Sequence, residues 1–578
     1  MKNNLITRMA AGAMALSVLT ACFAEKPFDK YDADFIFSSQ IKAEGYVLSV
    51  YLGLPFDAIT TDGYCRVDGA MLACATDEAA VSKDGSSIVY LTDGSLTARK
   101  NNPDGCWTNA YKFIRDANIG LENLEKMPES YATLREKLRG ELLFLKAYQH
   151  FELVKRYGGV PIMDKALDPS EADVPRSSLA ECIQYITGLC DEALPLLPDA
   201  SAVAFGRASK GAALALKARV LLYAASDLYN GSGYDKSGNE YVCLGSRDAS
   251  RWEAAAKAAA EVIKTGAYGI YAPNRISDSD SDSEVIAKGS ANYRKLFITI
   301  SGNSELVMSR TATMCNNVEV KQFPYGMPNA KGIVSPSQQM VDAYGMVNGR
   351  PIADPMSGYQ ADAPYEGRDP RFYGSIFYNG QKWNGMTIET FVGGAHNNAA
   401  DATKTGYYLS KFCSEDVLIS GNANTTYHCF PLIRYAEVLL NYAEAANEAV
   451  GPDSDAFGCG LTARQAVELV RGRVLRPSDA RVTADGASEM REAIREERRV
   501  ELAFEDHRYY DLKRWMTAEE VLNENIAGMQ IVKNGQDLMY KRISDVAGRQ
   551  FTPKFYVYPI PNSEVVNNAA IKKNNPLW

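Results

Sequence analysis

The sequence predicts a mostly α-helical protein, in which tetratricopeptide-like helical hairpins form a scaffold and a loop-rich insertion carries short strands. Three observations lead there. Apolar residues recur at three- and four-residue spacing in several long segments, as one face of an α-helix requires. These segments come in pairs, and Ala147-x3-Phe151 with Pro161 soon after is a fragment of the tetratricopeptide pattern. Between residues 268 and 428 the helical period fades, Gly, Pro, Asn and Asp become frequent, and short apolar stretches such as Glu305 to Met308 appear.

Taken in order, residues 1–21 read as a signal peptide. Lys2 and Arg8 precede a short apolar run, Met9 to Leu19, closed by Leu19-Thr20-Ala21-Cys22. That run is too short for a hydrocarbon core that needs roughly 20 residues, so it is a processing signal. A cysteine after small residues resembles the lipobox of bacterial lipoproteins, which implies lipidation of Cys22. Residues 22–38 form a tether. Residues 39–267 form an N-terminal helical part: a helix over Ser39–Leu52, a loop region at 55–105, and a helix from Trp107 with Tyr111, Ile114 and Asn118 on one face. A longer helix over Tyr131–Tyr157 stops at Gly158-Gly159, followed by a pair over Leu179–Leu197 and Ala208–Ala225 and an alanine-rich helix over Arg251–Thr265. After the 268–428 insertion, residues 429–578 return to helix over Pro431–Val450, Ala463–Arg473 and Met490–Phe504. The last of these continues towards Trp515, and the chain ends in an extended tail from Phe555.

A net charge of -9 argues against nucleic acid, whose phosphates want clustered Lys and Arg. Among the 11 cysteines, Cys182 and Cys190 are about 12 Å apart on a helix, too far to bridge. Cys65 with Cys74, and Cys413 with Cys429, could pair. Without a CxxC motif, and with the 4 histidines scattered, neither a structural zinc site nor any cofactor is expected.

Some residues tempt a catalytic reading. Glu497, Glu501 and Glu505 share one helix face at i, i+4, i+8 and could be read as a glycosidase pair. Carboxylates so stacked repel unless guanidinium groups interleave, and Arg498 and Arg508 stand three residues from Glu501 and Glu505. A partly buried ion network is expected. Asp278, Asp280 and Asp282 resemble the start of a calcium loop, but Ser283 and Gly289 stand where an EF-hand needs Gly and Glu; a solvated acidic loop is expected. His507, beside Asp506 and Asp511, is expected to be structural and hydrogen-bonded. No nucleophile-elbow, P-loop or dinucleotide fingerprint appears, so no catalytic residue is assigned. A sugar site needs flat rings and hydroxyl partners. Two loop clusters offer them: Tyr64, Arg66, Asp68, Tyr90 and Arg99, and then Lys321, Phe323 and Tyr325. Trp107 belongs to a helical face and is assigned to the core.

Five segments, in order, resemble the SusD/RagB family of outer-membrane nutrient-binding lipoproteins: Glu141 to Pro161, Gly206 to Arg219, Ile433 to Ala445, Ile494 to Trp515, and Tyr558 to Glu564 with Asn574-Asn575-Pro576. The resemblance implies a tetratricopeptide-like helical protein whose variable loops carry the ligand site. It also implies a lipid-anchored place at the outer membrane, facing the exterior, and work as a lid on a TonB-dependent, SusC-like barrel that receives oligosaccharides or, in some members, peptides. Thr76-Asp77-Glu78 is a family-like tripeptide. The stretch after it lacks the tryptophans of starch-binding relatives, offering Tyr90 and Arg99 instead, which argues against starch. A peptide-binding member and a surface glycosidase are the alternatives.

Overall fold

The computed structural model describes residues 33–54, 70–171, 173–311 and 314–578. Its frame is a stack of helices: α1 (Gln40–Val50), α2 (Trp107–Asn123), α3 (Ala132–Tyr157), α4 (Leu179–Ala193), α5 (Lys210–Ala225) and α6 (Ser250–Lys264). From α2 to α6 each helix packs on the next. The hairpins close where local chemistry ends one helix and starts another. Gly158 adopts φ 73 at the end of α3, and Ser178 with Glu181 forms a reciprocal capping box on α4. Helix α3 is buried over most of its last 20 positions because other elements cover it on several sides. Helices α5 and α6 pack on each other and both bury small residues, among them Ala212, Ala215, Ala255 and Ala259.

The stack resumes far along the chain. Helix α9 (Tyr435–Val450) packs on α6, and α10 (Ala463–Arg471) and α11 (Gly486–Glu501) pack on α9. Between α6 and α9 lies the insertion, with α7 (Asp282–Leu296) and α8 (Pro370–Ser375). Small two-stranded ribbons tie the insertion down. Strand β1 (Ala79–Val81) pairs antiparallel with β3 (Val334–Pro336), and β2 (Leu306–Thr311) with β4 (Cys429–Arg434). One continuous apolar core runs through both helical parts and into the insertion.

Five expectations are corrected. Residues 431–434 are strand, not helix: a short buried apolar run reads either way, and Pro431 sits in a two-stranded ribbon opposite Ser309. The insertion holds a full 15-residue helix, α7. Its buried face uses Gly289 and Asn292 in place of apolar residues, which hid the period; a Cβ at Gly289 would stand 2.7 Å from Pro370 Cβ. Helix α11 does not run on to Trp515. Phe504 and Asp506 both take φ 63, a conformation no helix continues through, and α12 (Arg508–Arg514) starts afresh. Cys413 and Cys429 are free thiols, and Cys429 Sγ donates to the Leu296 carbonyl at 3.4 Å. A long hairpin, β5 (Ile526–Asn534) with β6 (Asp537–Ala547), interrupts the C-terminal part ahead of the tail. Cys65, the other expected thiol pair's first member, lies outside the described residues, as do Cys22 and the signal segment.

Candidate ligand-binding surface

The insertion is held to the helices by buried charge. Asp369, Arg371 and Lys411 of the insertion, with Glu305 before β2, meet Arg434, Arg473, Glu497, Glu501 and Glu505. Arg434 Nη1 lies 2.7 Å from Glu501 Oε1 and 2.8 Å from Glu305 Oε1, while its Nε reaches Glu505 Oε2 at 2.7 Å. Burial pushes the Glu501 carboxyl up, but Arg473, Arg434 and Arg371 outweigh it and hold it at about 2. Cations face acids throughout, and Lys411 completes the set against Glu505 at 2.7 Å. The expected interleaved network is present, but its cations are not those expected. Arg498 turns to Asp511 (3.0 Å) and Arg508 to Asp77 (2.8 Å). Glu501 reaches Arg371 of the insertion, while Arg498 is taken up by partners on α9 and α12, donating also to Asn441 at 2.7 Å.

A second anchor fixes the loop region that follows residue 70. Asp77 accepts from Arg508 and Arg499. Glu78 accepts from the Phe504 N–H at 3.0 Å, and burial raises its carboxyl to about 8. Thr76-Asp77-Glu78 thus ties the N-terminal loops to the turn after α11. Immediately beyond, β1 and β3 run antiparallel, so residues 82–87 and 325–333 leave the same end of the ribbon. Ion pairs Lys83–Asp401 and Lys404–Asp84 add a third loop to that end.

The expected ligand residues are distributed as follows. Tyr64, Arg66 and Asp68 lie outside the described residues. Tyr325 is half-buried at the ribbon end, next to Gly332, where φ 51 and the Tyr408 ring leave no room for a side chain. Lys321 belongs to a short helix, Asn317–Gln322, and not to a loop. Phe323, expected to present its ring to a ligand, is instead 2% exposed and packs edge-on against Phe377 and Trp383 at 5.9 Å, so no face is left for a ligand. Tyr90 is half-buried, with Lys100 Nζ 4.3 Å above its ring. Arg99 is exposed and reaches a cleft.

That cleft has a volume of about 610 Å³. Its walls are residues 97–102 and 105–109, Tyr157 at the end of α3, and Pro559, Pro561, Asn562 and Ser563 of the tail. Each wall is fixed from behind. Arg156 grips Asp104 through Nε to its carbonyl (2.6 Å) and Nη2 to Oδ1 (2.9 Å), and Tyr558 donates to Oδ2 at 3.1 Å. Tyr157 Oη accepts from the Cys106 N–H at 3.2 Å, and the Asn562 N–H donates to the Ala98 carbonyl at 2.9 Å. The lining is amide- and hydroxyl-rich: Thr97, Asn101, Asn102, Thr108, Asn109, Asn562 and Ser563, with Arg99 and Lys100. Such groups match the hydroxyls of a sugar. Trp107 packs against Tyr111 and Tyr157 at 5.0 and 5.2 Å as a core ring, and its remaining edge separates this cleft from a second groove of about 590 Å³ over Tyr111, Pro161, Met163 and Ile571. Apart from Arg99, this lining was not anticipated. Its one sequence signal is the run Lys100-Asn101-Asn102-Pro103-Asp104-Gly105 just before a helix, and its far wall comes from the other end of the chain.

The residues that suggested metal or catalysis have structural partners. Asp278 accepts from the Ser478 N–H (2.9 Å), Asp280 pairs with Lys288 (2.8 Å) and Asp282 with Arg476. Among the described residues no group of three or more His, Cys, Asp or Glu is placed to hold a metal. Burial lowers His507 to about 4, and its Nε2 stands 4.0 Å from Glu437 Oε2, longer than the hydrogen bond expected of it.

Helical hairpins that carry loops around a polar cleft place the chain among helical-repeat scaffolds, a class in which loops on the scaffold commonly carry the functional site. Comparison with known proteins gives its family. The model described as the SusD family matches residues 301–578, and one described as "starch-binding associating with outer membrane" matches residues 70–222. A SusD-like protein of Formosa agariphila is 24% identical over 474 residues, covering 81% of this chain and 79% of its own. The crystal structure of a SusD-like protein from Bacteroides fragilis superposes with a TM-score of 0.75 at 27% identity, over 96% of this chain and 100% of that one. A second Bacteroides fragilis structure, described as a SusD-like carbohydrate binding protein, gives 0.73 at 24% identity over 93% of this chain and 100% of that one. The chain belongs to the SusD/RagB family.

Proposed function

We propose that this protein captures glycan oligosaccharides at the outer membrane and delivers them, uncleaved, to a TonB-dependent SusC-like transporter, held to the bilayer by lipid on Cys22. The observation that carries the reading is the pairing of SusD/RagB membership with a cleft of about 610 Å³ lined by amides, hydroxyls and two cations. Carbohydrate binding and outer-membrane association are the descriptions borne by a structural neighbour and by one matching family model. The helix-face carboxylates that suggested a glycosidase are each buried in ion pairs, which supports capture over hydrolysis. A protein that must release its ligand suits an open polar cleft; dissociation constants of micromolar to millimolar correspond to about -8 to -4 kcal/mol. A glycan array probed with the soluble mature protein tests the reading. Oligosaccharide hits are expected; capture of peptides with no glycan bound would overturn it.

A further inference from the structure

The charge of the cleft identifies a class of glycan. We infer that the ligand is an acidic oligosaccharide, whose carboxylate or sulfate is received by Arg99 and Lys100 while Asn101, Asn102, Asn109 and Asn562 take its hydroxyls. This rests on the glycan-binding reading above.

The chain as a whole is acidic, at -9, yet the lining of this cleft contains Arg99 and Lys100 and no Asp or Glu. Three other grooves differ. The one beyond Trp107 sets Asp168 and Glu564 beside its own Arg115 and Lys165, and a third joins Arg491 and Arg495 to Glu448 and Glu492. In the groove at residues 200–209, Arg207 is ion-paired to Glu141. Among the described residues, Arg99 and Lys100 form no ion pair. Lys100 is positioned instead over the Tyr90 ring, which holds an ammonium without neutralising it. The cleft also holds an orphan donor. Asn102 Oδ1 accepts from the Asp104 N–H at 3.0 Å, and its Nδ2 is buried with no partner among the described residues. A guanidinium presents a planar fork that matches carboxylate and sulfate oxygens, and amides complete the hydroxyl contacts.

The test titrates the soluble mature protein with three sets of oligosaccharides of matched backbone: uronate-bearing, sulfated, and neutral counterparts made by carboxyl reduction or desulfation. Charge-assisted hydrogen bonds lead one to expect the acidic sets to bind about tenfold tighter or more. The two acidic arms then distinguish carboxylate from sulfate. Affinity for the acidic ligand is expected to fall as salt is raised, and the Arg99→Ala/Lys100→Ala double variant, with an unchanged melting temperature, should lose the margin over neutral ligand. Neutral ligands binding as tightly as acidic ones would overturn the inference and leave glycan capture standing. A margin that survives in the folded double variant would also overturn it, because the acid would then be read elsewhere. If no oligosaccharide binds at all, the reading beneath it fails as well.

Discussion

Arg434 and Glu501 meet at 2.7 Å, 67 residues apart in sequence, at the junction of a strand end, a helix end and the insertion. The contact is structural: both side chains are buried, and the remaining atoms of each reach further members of the same network. Removing one partner leaves charges stranded where water cannot reach them. Glu501→Ala is therefore expected to destabilise the fold by about 3–5 kcal/mol, read by chemical denaturation. An unchanged stability would show that the network does not hold the insertion in place.

The buried acids set opposite pH dependences. Glu501 is held at about 2, below its unfolded value, so its contribution is present above the unfolded value and is lost as pH falls from there towards 2. Glu78 is raised to about 8. Between its unfolded value and 8 the folded state binds the extra proton, so its contribution falls as pH rises through that window. Glu78→Gln should flatten the decline in stability between about pH 5 and about pH 8. Thermal melts across that range decide it; a slope identical to that of the unmodified protein would contradict the account.

Phe323 and Tyr325 separate core from surface within three residues. Phe323→Ala should cost about 3–5 kcal/mol through the cavity left between Phe377 and Trp383. Tyr325→Ala, at a half-buried loop position, should cost far less. Equal losses in paired denaturation curves would mean that both rings serve the core.

Cys22→Ala should release the protein from membranes, since the Leu19-Thr-Ala-Cys22 junction is the proposed attachment point. Membrane fractionation checks this. A variant that remains bound with an uncleaved N-terminus would remove the lipid anchor from the proposal.

Much of the scaffold was legible because its helices bury long apolar faces: Leu138, Leu142, Leu145 and Phe151 on α3 announce themselves at helical spacing. Helix α7 was not, since Gly289 and Asn292 pack where apolar residues would be sought. The ion network was legible as a type and not as a set of partners. Glu501 advertises a need for cations, but Arg371 lies 130 residues away, and nothing local points to it. The cleft was half legible for the same reason. Arg99 stood out in its loop, whereas Asn562 reaches that loop only through the folded tail and its hydrogen bond to Ala98.

Capture without cleavage is the central claim, and one measurement tests it most directly. The purified mature protein is incubated at length with an oligosaccharide it binds, and the recovered sugar is sized by chromatography against a no-protein control. The account predicts binding with micromolar to millimolar affinity, about -8 to -4 kcal/mol, and sugar returned at its original length. Shortened sugar above the control, abolished by a single carboxylate substitution that leaves the fold intact, would contradict it.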